Sequence, residues 1–96
     1  MFIVSLTYIC DLKEVDNHLS SHVEYLEKQY EEGNFIASGR KVPRTGGIIL
    51  SKLDSLEKLN KVLEKDPFYQ NNLAKYDIQE FIPTMTSKDY ENLKEE

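Results

Sequence analysis

The apolar residues of this chain change their spacing along the sequence, and this change limits the folds that the chain can form. From Phe2 to Cys10 they alternate between two sides, which is the period of a half-buried strand. Asp11 and Glu14 then have the D-x-x-E spacing of a helix start. The pattern predicts a first strand and then one long amphipathic helix from Leu12 to Glu32. The apolar positions of that helix recur every three or four residues, at Leu12, Val15, Leu19, Val23, Leu26 and Tyr30.

A hairpin is predicted after this helix. Phe35 to Lys41 and Gly47 to Leu53 both read as short strands. The residues between them, Pro43 to Gly46, supply the geometry of a turn. The two strands should therefore pair with each other.

A second helix and a fourth strand follow the hairpin. Asp54 and Glu57 repeat the D-x-x-E spacing, and Pro67 ends the helix because proline has no backbone N–H. Tyr76 to Ile82 returns to the two-residue period and predicts the last strand. The inward positions of the second helix are Leu56, Leu59 and Leu63.

The predicted order of elements is β-α-β-β-α-β, which is the ferredoxin-like arrangement of the α+β class. Right-handed crossovers place both helices on one face of an antiparallel four-stranded sheet. Residues 1–96 are predicted to form a single domain, in which residues 85–96 are a polar tail or a short helix.

Large apolar side chains are predicted on both faces of this sheet, although the helices cover only one. Exposed apolar patches usually mark partners, and symmetric dimers are the commonest assemblies. We therefore expect a homodimer whose sheets pack face to face. Phe2 and Ile3 lie on opposite sides of strand one. In strand two, Phe35 and Ala37 lie on one side and Ile36 on the other. Ile48 and Ile49 lie on opposite sides of strand three, as do Ile78 and Phe81 in strand four.

Composition excludes several classes of protein. The 96 residues are 40% hydrophobic, and no apolar run exceeds four residues, far below the ~20 that a membrane-spanning helix needs. We expect neither a membrane span nor a secretory leader. The single Cys10 excludes an internal disulfide and predicts a reducing, cytoplasmic location. The net charge of −5, with scattered cations, argues against nucleic acid as a partner.

The two histidines of the first helix are candidates for chemistry. Relative to the apolar stripe, His22 is predicted to face the sheet margin and His18 the solvent. His22 is either a partly buried imidazole whose nitrogens are satisfied or a proton-transfer group. The H-x-x-x-H spacing of His18 and His22 could hold a metal, but no third ligand is evident. Neither a metal nor another cofactor is predicted.

Asp66-Pro67-Phe68 is the second candidate. Asp66 follows the end of the second helix, where the helix dipole disfavours a negative charge. It can cap a short helix that starts at Pro67. It can also face a histidine, because one carboxylate oxygen can accept backbone N–H groups while the other accepts from an imidazole. From the residues alone, both roles stay open.

Five short motifs, in this order and at this spacing, resemble the YciI-related family, which carries the YCII domain. The resemblance spans Phe2 to about Pro83 and implies the fold of the dimeric α+β barrels. It also implies that His22 and Asp66 form an active-site dyad in a small cofactor-free lyase or isomerase. The motifs are F-I-V-S-L-T-Y in strand one, H-x-x-Y-L from His22 to Leu26, G-N-F-I-A-S-G from Gly33 to Gly39, Gly46-Gly47, and D-P-F from Asp66 to Phe68.

One departure from the family concerns the binding of anions. Some members have an arginine three residues before the histidine, where this chain has Leu19, and Arg40 could supply the cation instead. Tyr8, Ser38 and Arg40 are candidates for binding a small-molecule substrate because each lies near the end of a strand, at one rim.

The leading hypothesis is a cofactor-independent lyase or isomerase in which His22 transfers protons and Asp66 keeps the other imidazole nitrogen protonated. One alternative is a non-catalytic dimeric module that binds a small ligand in the same cleft, since fold alone does not decide function. Another alternative is a cofactor-free monooxygenase of the related dimeric barrels.

Overall fold

The computed structural model describes residues 1–95. In this part of the chain, no helix has both the length and the apolar character needed to cross a bilayer. The elements in chain order are β1 (Phe2–Tyr8), α1 (Leu12–Asn17), α2 (Leu19–Glu31), β2 (Phe35–Arg40), β3 (Gly46–Ser51), α3 (Leu56–Leu63), α4 (Pro67–Gln70), β4 (Ala74–Glu80) and a 3₁₀-helix (Lys88–Leu93).

The four strands form one sheet in the order β2-β3-β1-β4, and all neighbouring strands are antiparallel. Sequential strands β1 and β2 are therefore parallel but separated by β3, as the split crossover of a ferredoxin-like fold requires. The predicted α+β class and sheet arrangement are confirmed. The core lies between the helices and one face of the sheet, and its largest fully buried apolar side chains are Phe2, Val4, Val15, Leu59 and Phe68.

The face of the sheet without helices is apolar on one half and polar on the other. On β1 and β3, Ile3 lies opposite Leu50, with Ile48 next to them. The residues of β4 on this face are Lys75, Asp77 and Gln79, which pair with β1. The prediction of a large apolar residue on both sides of the fourth strand is therefore wrong, because Phe81 and Ile82 lie beyond the end of β4.

The single long helix predicted from Leu12 to Glu32 is also wrong, since two helices meet at His18 with φ −111° and ψ 4°. The backbone N–H of His18 donates to the Val15 carbonyl at 3.1 Å. The ring Nδ1–H of His18 donates to the Glu14 carbonyl, also at 3.1 Å. The imidazole thus takes the acceptor that the backbone of residue 18 would use in a continuous helix.

This break changes which side of α2 is buried. Tyr25 and Gln29 face the core, whereas Leu19 and Val23 of the predicted apolar stripe are 39% and 42% exposed. These two side chains lie beside a cavity instead of in the core.

A bulge in β2 reverses the predicted sides of that strand. Phe35 lies opposite Ser51 and Ala37 lies opposite Leu50, so β2 has one more residue than β3 over this stretch. Ala37 therefore lies on the face without helices, not beside Phe35 as predicted. Because a shift of one residue exchanges the two faces, Ser38 and Arg40 lie on the helix side.

The start of α3 differs from the predicted one by a residue. Ser55, not Asp54, is the N-cap, and its hydroxyl accepts from the backbone N–H of Lys58 at 3.2 Å. Leu59 and Leu63 are buried as predicted, but Leu56 is 49% exposed because it lies in the first turn of the helix.

The C-terminal residues return to the beginning of the chain. The carboxylate of Glu95 lies 2.9 Å from the amino group of Met1, and Phe81 and Met1 exchange backbone hydrogen bonds. The predicted tail or short helix of residues 85–96 contains the 3₁₀-helix, and its last residue, Glu96, lies outside the described residues.

Candidate active site

A cavity of about 170 Å³ opens between α2 and the ends of β1, β2 and β3. Four of the five residues predicted for the site line it, namely His22, Tyr8, Ser38 and Arg40. The fifth, Asp66, has no exposed surface and lies behind His22. The remaining wall is mostly apolar and includes Leu6, Leu19, Val23, Leu26, Ile49 and Phe68.

Asp66 is held by the local structure of the D-P-F segment. It is the N-cap of α4, and Pro67 occupies the first position of that helix, where its missing N–H costs nothing. The Asp66 Oδ1 accepts the backbone N–H of Phe68 at 2.9 Å. The buried carboxylate is therefore fixed by the backbone that follows it in sequence.

The same oxygen of Asp66 also contacts the histidine. His22 Nδ1 lies 2.8 Å from Asp66 Oδ1, although the two residues are separated by 44 positions in the sequence. We expected the cap and the histidine to use different oxygens. The structure corrects this, because Oδ2 accepts the hydroxyl of Tyr76 at 2.6 Å.

The plane of the imidazole is set by an aromatic ring. The rings of His22 and Phe68 stack with their centroids 3.8 Å apart and an angle of 4° between their planes. Tyr8 meets the same Phe68 ring edge-on at 6.0 Å. The D-P-F segment thus contributes both the hydrogen-bond acceptor of His22 and the surface on which its ring rests.

The hydrogen bond to Asp66 also determines the tautomer of His22. A carboxylate only accepts, so the neutral imidazole carries its hydrogen on Nδ1 and leaves Nε2 as an acceptor. Within residues 1–95, Nε2 has no hydrogen-bond partner and is not sealed from solvent. With its side chain 12% exposed, His22 presents a proton acceptor to the cavity.

Two tyrosines stay neutral beside the carboxylate. Burial raises the pKa of Tyr76, and the negative charge of Asp66 and the hydrogen bond to it raise that pKa further. Burial raises the pKa of Tyr25, with a smaller contribution from the Asp66 charge. Tyr25 donates its hydroxyl to the Val62 carbonyl at 2.7 Å, so Tyr76 is the phenol that donates to Asp66.

The two arginines have different surroundings. Arg44 donates to Asp16 at 2.6 Å, and this contact raises the pKa of the guanidinium. Arg40 is exposed at the cavity and forms no ion pair with any of residues 1–95. Next to it, the Ser38 hydroxyl hydrogen-bonds to the Tyr30 hydroxyl. The cavity therefore offers one unpaired cation and one positioned hydroxyl.

No group of three or more His, Cys, Asp or Glu side chains in residues 1–95 could hold a metal ion. The ring of His18 is directed to the Glu14 carbonyl.

Sequence reasoning missed the contact of Tyr76 with Asp66, because the sequence marks Tyr76 only as the first residue of the predicted fourth strand. It lies opposite Leu6 across the β1–β4 pair, ten residues after Asp66. No local motif signals this contact, because it depends on the register of β4 and not on neighbouring residues.

Comparisons with known proteins agree with this fold. The sequence model of a family described as the YCII-related domain matches residues 1–82. No curated protein matches the sequence. Among solved structures, the chain is similar to 5-chloro-2-hydroxyhydroquinone dehydrochlorinase (TftG) from Burkholderia phenoliruptrix AC1100, in complex with 2,5-dihydroxybenzoquinone. The TM-score is 0.71 at 16% identity, and the match covers 86% of this chain and 95% of that one, which shows the fold.

Proposed function

The chain belongs to the YCII-related domain family, and on that premise we propose that it is a small enzyme that transfers a proton on a small organic substrate. The proposed reaction type is that of a lyase or an isomerase that needs no cofactor. The observation that carries this proposal is the contact of 2.8 Å between His22 Nδ1 and the buried Asp66 carboxylate, directly beside an open cavity.

The proposed roles follow from the hydrogen bonds of the pair. His22 Nε2 removes a proton from a carbon of the substrate, and the imidazole becomes an imidazolium. Asp66 accepts from Nδ1 and stabilises that positive charge in a site where little water competes. The electron pair of the broken C–H bond moves toward a carbonyl oxygen of the substrate and makes an enolate. Either a leaving group then departs, or His22 returns the proton to a different atom.

The cavity indicates which substrates fit. An engineered apolar cavity of about 150 Å³ holds benzene, so the 170 Å³ here suit a molecule with one ring or an acid of similar size. The apolar wall favours the body of such a molecule. Arg40 and Ser38 are proposed to bind its negatively charged or carbonyl oxygen. The dehydrochlorinase similar in fold is described in complex with a dihydroxybenzoquinone, which is a ring of this size.

Proton abstraction can be tested without knowing the natural substrate. Small 2-oxo acids, their amides and hydroxylated aromatics are incubated with the protein in D₂O, and the loss of C–H signals is followed by NMR. We expect exchange for at least one compound, faster for acids than for their amides, and about 100-fold slower exchange with His22→Gln because general-base catalysis contributes ~10²–10⁴-fold.

The matched control is Glu27→Gln, since Glu27 lies in the same helix as His22, is exposed and does not line the cavity. This variant should exchange at the wild-type rate. Exchange that persists in His22→Gln contradicts the assigned role. Binding of compounds without any exchange favours the non-catalytic ligand-binding module.

The homodimer is a separate proposal about the same fold. Ile3, Ile48 and Leu50 form a half-buried apolar strip on the face of the sheet without helices. We propose that a second copy covers this strip, because contiguous apolar surface usually marks a partner. Sedimentation equilibrium at micromolar concentration should give the mass of two chains, and the mass of one chain contradicts the proposal.

A further inference from the structure

We propose that Tyr76 is a positioning residue of the His22–Asp66 pair, which holds the carboxylate in place and moderates its charge. This inference rests on the proposed function and adds a third member to the proposed dyad. Its basis is the hydrogen bond of 2.6 Å from the Tyr76 hydroxyl to Asp66 Oδ2, the oxygen that neither His22 nor the backbone uses.

The geometry of the carboxylate explains why a third donor matters. His22 Nδ1–H and Phe68 N–H both bind Oδ1, so these two contacts restrain rotation about the Cβ–Cγ bond at one oxygen only and leave Oδ2 without a donor. The side-chain torsion that carries a carboxylate has broad energy wells. Tyr76 binds Oδ2 from a different element, β4, and so fixes the plane in which Oδ1 meets the imidazole.

Tyr76 is itself firmly held. It lies on the helix side of β4, opposite Leu6 of the central strand, and its ring meets Tyr69 at 5.5 Å. Its hydroxyl is therefore anchored by the sheet, whereas Asp66 lies at the start of the four-residue helix α4. The contact joins the helix layer to the sheet at the site.

The contact also has an electrostatic consequence. The titratable groups that face Asp66 are His22 and Tyr25 from α2 and Tyr76 from β4. Tyr76 remains a neutral donor, and a hydrogen bond from a neutral donor disperses part of the carboxylate charge. Without it, Asp66 should attract the imidazolium form of His22 more strongly. Removing the hydroxyl of Tyr76 and removing the charge of Asp66 are therefore expected to shift the titration midpoint of His22 in opposite directions.

The test is the titration of His22 in the intact protein, followed by ¹H–¹⁵N NMR of the imidazole. In Tyr76→Phe the midpoint of the titration should rise by roughly half a pH unit or more, because hydrogen bonds to charged groups contribute ~1.5–3 kcal/mol. In Asp66→Asn the midpoint should fall. The control is Tyr69→Phe, whose exposed ring touches Tyr76 but whose hydroxyl makes no hydrogen bond within residues 1–95, and it should leave the midpoint unchanged.

The outcomes separate this inference from the proposed function. A midpoint that moves in Asp66→Asn but not in Tyr76→Phe overturns the role of Tyr76 and leaves the dyad intact. A midpoint that moves in neither variant shows that His22 and Asp66 are not coupled, and the proposed function fails with it. If Tyr76→Phe does not fold, 3-fluorotyrosine at position 76 keeps the shape and strengthens the donor. That replacement should lower the midpoint, and an unchanged midpoint overturns the inference.

Discussion

Replacing Gly46 with alanine is expected to prevent the protein from folding. The added Cβ would lie 1.7 Å from the carbonyl oxygen of Leu6 and 2.7 Å from its carbonyl carbon. Both atoms are backbone atoms of the central strand β1, so no side chain can turn away to make room. The strands β1 and β3 would have to separate at this point. Overpacking costs ~1–3 kcal/mol or more, and a clash with backbone should exceed that range in a domain stabilised by ~5–15 kcal/mol.

The matched control for this prediction is Gly39→Ala. A Cβ at Gly39 would meet no atom within 4 Å, so its free energy of unfolding should stay within about 1 kcal/mol of the wild type. Urea denaturation followed by circular dichroism measures both variants. A Gly46→Ala protein that folds with wild-type stability would mean that β1 and β3 are further apart than described.

The close approach at Gly46 also shows what a hairpin motif can and cannot predict. The sequence predicts that Gly46 ends the turn and that Gly47 begins the next strand, whereas β3 already begins at Gly46. That Gly46 must lack a side chain follows from its contact with Leu6, forty residues earlier in the chain. Because Leu6 and Tyr8 line the cavity, the same contact also determines how close β3 lies to β1 at the candidate site.

The order of the elements could be predicted because each strand and helix has its own apolar period. Two local irregularities could not, although both shape the site. The break at His18 depends on a side chain that competes for the Glu14 carbonyl, and it turns Leu19 and Val23 toward the cavity. The bulge in β2 depends on pairing with β3, and it turns Ser38 and Arg40 to the helix side. Neither the helix break nor the bulge can be recognised from the spacing of the apolar residues.

The candidate site shows the same division. The helix position of His22 and the cap position of Asp66 are properties of nearby residues, and for this reason the sequence points to both. The contact of Tyr76 with Asp66 depends on which residue of β4 lies opposite Leu6. A strand with a two-residue period fixes its register only through tertiary packing. The contact of Tyr76 with Asp66 could therefore not be predicted without the strand register of the sheet.

Asp66→Ala is expected to lower the free energy of unfolding by about 3–5 kcal/mol, the cost of leaving the partners of a buried charge unpaired. The backbone N–H of Phe68, the Nδ1–H of His22 and the hydroxyl of Tyr76 would all lose their acceptor in a place that has no exposed surface. The lost helix cap accounts for only ~1 kcal/mol of this effect. Urea denaturation of the variant measures the loss.

Asp66→Asn is the control that separates the fold from the chemistry. The amide oxygen can still accept from Phe68 and His22, while the amide NH₂ can donate to the Tyr76 oxygen, since a hydroxyl both donates and accepts. We expect this variant to lose only about 1–2 kcal/mol, because the Phe68 N–H and the His22 Nδ1–H keep their acceptor and only the hydroxyl hydrogen of Tyr76 loses one. It should nevertheless lose most of the proton exchange, because an amide has no charge to stabilise the imidazolium. An Asp66→Asn protein as unstable as Asp66→Ala would show that the site needs the charge in order to fold. Full proton exchange in a folded Asp66→Asn protein would show that the charge has no part in the chemistry.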